Sequence, residues 1–230
     1  MSSAEIRFED SERHGSPGDN DGDSMDGEAH RPRQRLARAV SENDEASLGL
    51  VVLRDSALLA GLLSLFAAAA SWASLTDLAF ATALATADGL LVGAAIAAVC
   101  HEWGHFAGAR LAGGHSPLKP IGQFFPVFDF DYRNNDARAF DRMSIGGNAG
   151  DIAVVLLFFF ALPMSSPGAA ALVAGATGFA VFAAAIEFPV IRRARSGMTP
   201  IEALSAIPSD FLRRYTRLGI AAALATLILL

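Results

Sequence analysis

His101-Glu102-Trp103-Gly104-His105 places two imidazoles four residues apart, with a carboxylate beside the first. On a helix, positions i and i+4 share a face, so both rings can reach one metal ion. Two histidines and a carboxylate are a zinc-binding set that leaves a fourth position open for water. The ion lowers the pKa of that water, and Glu102 stands near enough to take its proton and hand it to a leaving amine. The pattern predicts one Zn2+ per chain, with His101 and His105 as ligands and Glu102 as the general base. On a soluble helix the same five residues could be no more than a salt-bridged surface face. Here they lie in an apolar segment, 90–111, where a charged group at the helix centre costs on the order of 2.5–3.5 kcal/mol. Ionisable groups in such a place need a partner or a use, which favours a metal site over a plain buried polar network.

A third ligand does not follow on the same helix. In the longer signature that supplies one, Gly108 fits the glycine position, but Leu111 stands where the third histidine belongs. The missing ligand must come from another segment, and two carboxylates qualify, Glu187 and Asp151. Glu187 is favoured, because Pro189 removes a backbone hydrogen bond beside it and loosened helix at membrane depth is tolerated where it lines a polar cavity. The plainer role for Glu187 is an ion pair with Arg192 or Arg193. Asp151 is either the ligand itself or a carboxylate that orients a ligating histidine. Asn148 can hydrogen-bond a substrate backbone or a developing oxyanion, or it can tie two helices together. Gly146, Gly147 and Gly150 let helices approach closely.

These residues need elements to bring them together. Of the 230 residues, 52% are hydrophobic, and the mean hydropathy is +0.36, too apolar for an ordinary soluble domain. Residues 1–47 are polar and read as a disordered tail, with Arg31, Arg33, Arg35 and Arg38 as a juxtamembrane patch for anionic lipid or a regulatory contact. No apolar run precedes about residue 48, so the hydrophobic segments read as retained anchors and not as a cleaved leader. The single cysteine, Cys100, excludes a disulfide within the chain and a Cys-rich metal site, and its expected role is packing.

The expected fold is an all-α integral membrane domain, 48–230, with a metallopeptidase core at 90–191. Its apolar segments are 56–73, 90–111 (with 78–87 as a backward extension), 144–164, 169–191 and a short 218–230 that ends the chain. About 20 apolar residues make a spanning helix, so the first four qualify and the fifth needs its flanks or a mismatch. All 18 Lys and Arg fall in the tail and its exit, in the connection after the second segment, or between the fourth and fifth. The positive-inside rule then predicts a multi-pass protein with a cytoplasmic N-terminus; a prokaryotic cell membrane is the expected location. At ~1.5 Å per residue, His101, His105, Asp151 and Glu187 come to a similar depth on three successive segments.

The connection 113–143 holds a phenylalanine-rich stretch in which Phe128, Phe130 and Tyr132 alternate with Asp129 and Asp131. That is the period of a strand with one apolar face, so a short β hairpin can form here. It would either offer an edge to an extended peptide or lie as an amphipathic segment at the interface. His115 is expected to be a loop residue without metal, and His14 and His30 lie in the tail.

The region 90–191 resembles the site-2 protease family of intramembrane zinc metallopeptidases. The resemblance rests on His101-Glu102-x-x-His105, on a glycine-rich third helix with Asn148, and on a later helix with Glu187 near Pro189. It implies a core of three helices around one zinc and cleavage of membrane-embedded or membrane-proximal protein substrates. The implied partners are a transmembrane-peptide substrate and the bilayer, not nucleic acid. The chain departs from the family in having no Leu-Asp-Gly element in its fourth span, and Glu187-Phe188-Pro189 occupies the comparable place. On a Gly-x-x-x-Asn alignment, Asp151 falls on the family's asparagine. This is the pattern of an atypical branch, and no connection is long enough for an inserted PDZ-like domain.

Two other classes compete. A catalytically inactive, chaperone-like pseudoprotease would keep the metal but has no need of Glu102. An ion or proton transporter would use the same buried groups, but the sequence shows no internal repeat of the transporter kind.

Overall fold

The computed structural model describes the backbone from Asp26 to Leu230 and side chains from Leu48 onward. Residues 1–25, with His14 and the first half of the polar tail, lie outside the described residues. So do the side chains of His30 and of the four tail arginines. Every side chain described below belongs to one compact unit, Asn43–Leu230.

The described elements are all helical: α1 (Asp26–Thr76), α2 (Ala79–Leu111), α3 (Ala137–Ala161), α4 (Pro167–Arg195), the short α5 (Pro200–Ser205) and α6 (Phe211–Leu229). Four stretches are long and apolar enough to cross a membrane, namely Leu48–Thr76, α2, α3 and α4. A bilayer core has no water to satisfy exposed backbone groups, so segments of this composition close their hydrogen bonds internally as helix. α2 takes in the backward extension without a break. It thereby includes Asp88, about 20 Å before His101 along the axis, with one buried carboxylate oxygen lacking a partner.

The helix ends carry local signals. Asp77 turns the chain between α1 and α2 at φ 51°, and Gly113 ends α2 at φ 77°. The Asp136 side chain caps α3 by accepting from the Ala139 N–H at 2.7 Å. Pro167 opens α4, which continues through Pro189 to Arg195. Thr199 and Glu202 form a reciprocal capping box on α5, a helix the hydropathy pattern does not reveal. Those hydrogen bonds from Thr199 hold the Glu202 carboxyl below its ordinary pKa.

α2 is the centre of the bundle and packs against both α3 and α4, while α6 packs on α4. Glycines four residues apart make the α2–α3 seam. Gly104 and Gly108 of α2 face the Gly146 and Arg142 carbonyls of α3, and Gly146 faces back onto Gly104. A Cβ at Gly104 would overlap the Gly146 backbone, where no side chain can swing aside. Such small-residue contacts let backbones approach where there is no hydrophobic force between helices. Gly104→Val is therefore expected to separate α2 from α3, at a cost of about 3 kcal/mol or more, seen as a lowered Tm in detergent.

Two apolar clusters fill the domain. One lies among α2, α3 and α4 around Ile96, Val154, Phe158 and Leu172, with Cys100 packed against it. The other joins Phe106, Phe140, Met143 and Val190 to Val127, Phe128 and Phe130 of the α2–α3 connection. The alternation in that connection holds only in part: Phe128 and Phe130 are buried and the Asp129 side chain is 70% exposed, but Val127 is buried too and Tyr132 is exposed. Segments 115–119 and 127–131 run antiparallel. They are joined by hydrogen bonds from the N–H groups of Lys119, Asp129 and Asp131 to the carbonyls of Val127, Pro117 and His115. Pairing is limited to one bridge, Leu118–Phe128, and no regular strand forms among the described residues.

Candidate metal centre

α2 presents His101 and His105 one turn apart, with ring centroids 4.4 Å from each other. α4 brings Glu187 against both. Its Oε1 lies 3.1 Å from His101 Nε2 and 2.7 Å from His105 Nε2. Ligand atoms of these three residues all lie within 4.8 Å of one another, and no other such group of three occurs among the described residues.

The far nitrogen of each ring is also engaged. His101 Nδ1 lies 2.8 Å from Asp151 Oδ2, and His105 Nδ1 lies 2.8 Å from the Met143 carbonyl oxygen. A carbonyl and a carboxylate only accept, so each Nδ1 donates a ring proton there, and each Nε2 is the nitrogen turned to Glu187, donating to it when protonated and offering a lone pair to a cation when not. Two imidazole nitrogens and a carboxylate oxygen thus converge on one point. The carboxylate needs positive charge beside it, as protons on the two Nε2 atoms or as a cation in their place, and the group could hold a metal ion. The residues present fit a metal.

The two candidate carboxylates have separate places. Glu187 faces the Nε2 atoms, where a third ligand belongs. Asp151, 1% exposed, stands behind His101 as the acceptor that orients its ring, and its Oδ1 has no partner. Glu187 contacts neither Arg192 nor Arg193 among the described residues. Asn148 donates from its amide to Glu187 Oε2 and to the Ser144 carbonyl at 3.2 Å. Asn148 thus holds the carboxylate of Glu187 from α3. α3 and α4 lie close enough here for the two side chains to meet, so Asn148 ties these helices together beside the site.

Gly147 lies directly under the pair of rings. A Cβ there would come within 2.5 Å of His105 Cε1 and 2.9 Å of His101 Cε1. The residue expected to serve helix packing therefore also leaves room for the imidazoles.

Glu102 lines a cavity of 310 Å³ together with His105 and Glu187. The cavity wall includes Phe128, Phe130 and Tyr132 from the connection and Leu204 and Ile207 from α5 and its exit. Glu102 Oε2 accepts from the Val127 N–H at 3.2 Å. Burial, and then the nearby Glu102 charge, push the Tyr132 phenol above its ordinary pKa. Tyr132 entered the sequence reading only as part of the alternating pattern, and its place in the cavity wall comes from the chain folding back. His115 bonds Asn135 through its backbone and belongs to no metal-binding group among the described residues.

Comparison with family models, with curated proteins and with solved structures finds no match to this chain.

Proposed function

We propose that this chain is an intramembrane zinc metallopeptidase that hydrolyses peptide bonds of membrane-embedded or membrane-proximal protein substrates, in the manner of the site-2 protease family. The observation that carries the reading is the convergence of His101 Nε2, His105 Nε2 and Glu187 Oε1, with Glu102 facing the adjoining cavity. His101, His105 and Glu187 would hold the ion, which supplies a Lewis acid able to activate water at neutral pH. Asp151 and the Met143 carbonyl keep the two imidazoles in the ligating tautomer. Asn148 keeps Glu187 turned toward them. Glu102 accepts the proton of the attacking water and returns it to the leaving amine.

The four apolar helices support a multi-pass protein, and the grouping of arginines supports a cytoplasmic N-terminus. On this reading α2, α3 and α4 are the metallopeptidase core, and α6 completes the domain as a short fifth span. A prokaryotic cell membrane is the proposed location. The free backbone edge at Phe128 and Phe130, whose N–H and C=O groups bond nothing among the described residues, is where an extended substrate can be held.

Metal content of the detergent-purified protein tests the centre. Wild type is expected to hold about one zinc per chain, in line with a three-ligand site. His101→Ala, His105→Ala and Glu187→Ala are expected to lose it. Asp151→Asn is expected to keep the site with metal affinity lowered about 10- to 100-fold, as for other partners of a ligating histidine. Wild type without metal after mild, chelator-free purification would overturn the reading.

A further inference from the structure

α1 is the least embedded of the four apolar helices: 11% of its most apolar stretch is buried, against 39%, 33% and 56% for α2, α3 and α4. Yet it carries a buried ion pair. Arg54 Nε donates to Asp55 Oδ1 at 2.7 Å, and the two side chains are 12% and 6% exposed. Charges withdrawn from water this far need partners, and all of the pair's polar atoms but Arg54 Nη2, which is buried without one, have them. Asp55 Oδ2 accepts from Trp103 Nε1 at 2.9 Å, which ties α1 to the motif helix beside Glu102. Arg54 Nη1 donates to the carbonyls of Ile121 at 3.0 Å and Gln123 at 2.7 Å, and its guanidinium lies over the Phe124 ring at 4.7 Å. Among the described residues, every hydrogen bond from α1 to another element runs through Arg54 or Asp55.

The residues that Arg54 grips form the tip of the α2–α3 connection. A few residues on, Val127 bonds Glu102, and Phe128, Phe130 and Tyr132 form a wall of the cavity. The tip itself is otherwise loosely held: Ile121, Phe124 and Phe125 are about half exposed. We infer that Arg54 and Asp55 are positioning residues, a clamp by which α1 fastens the 121–131 wall over the cavity and so sets how substrate is held there. The fork of arginine suits this place, because one group bonds a carboxylate and two carbonyls while its Cζ lies over an aromatic ring.

The substrate half of this inference rests on the peptidase reading, and the fastening half does not. The test uses the full-length protein in lipid nanodiscs, with amide hydrogen exchange, zinc content and cleavage of a transmembrane-peptide probe read on each variant. Arg54→Ala is expected to raise exchange across 121–131 about tenfold or more, since a segment released from its anchoring hydrogen bonds opens more readily. Zinc content should stay at the wild-type level. KM for the probe should rise about tenfold, with kcat per bound zinc changed far less, a split that a mere loss of folded protein would not produce. Should Arg54→Ala fail to fold, Arg54→Lys keeps the charge beside Asp55 and is expected to show smaller changes in the same directions. Wild-type exchange in both variants would overturn the clamp. Raised exchange with KM unchanged would overturn its role in holding substrate. Raised exchange in a protein whose wild type cleaves nothing would uphold the clamp and count against the peptidase.

Discussion

Glu102→Gln is expected to keep the zinc of the wild type while cleavage falls about 10²- to 10⁴-fold, the usual contribution of a general base. The separation follows from where the side chain points. Glu102 is not one of the three converging groups; His101, His105 and Glu187 are. Its Oε2 instead accepts from the Val127 N–H, and the amide oxygen of glutamine can accept the same bond. Shape and loop contact are thus preserved, and only the capacity to take a proton is lost. Zinc analysis and cleavage of a transmembrane-peptide probe on the same preparation read the two properties apart. A pseudoprotease would lose nothing in the variant. A transporter that used the buried His and carboxylate groups would show no cleavage in either protein.

Gly147→Val is expected to damage the centre without removing any ligand. The Cβ alone would stand 2.5 Å from His105 Cε1, 2.7 Å from His105 Nε2 and 2.9 Å from His101 Cε1. The rings cannot yield freely, since each Nδ1 is tied, to Asp151 or to the Met143 carbonyl. They must tilt and loosen one of these bonds. Zinc affinity should fall by at least the roughly 10- to 100-fold that follows loss of an orienting partner. Competition with a chromophoric chelator measures it, with Ala149→Val on the exposed side of the same helix as the control. Equal affinity in the two variants would mean that the space beneath the rings does not matter.

What the sequence determines by itself is local. The pairing of His101 with His105 needs only helical spacing, and the four apolar helices follow from hydropathy and the need to satisfy backbone groups internally. Rise per residue also sets depth, so Asp151 and Glu187 could both be brought level with the histidines. Depth does not say which way a side chain faces around its helix. That depends on the rotation and spacing of α3 and α4 against α2, which the glycine contacts along these seams decide. Only the tertiary structure places Glu187 on the Nε2 side and Asp151 behind His101, and only it brings Asn148 against Glu187. The same holds for the connection after α2. Its alternating pattern is legible in the residues, but the contacts of Val127 with Glu102 and of Arg54 with Ile121 and Gln123 join distant parts of the chain that no local period links.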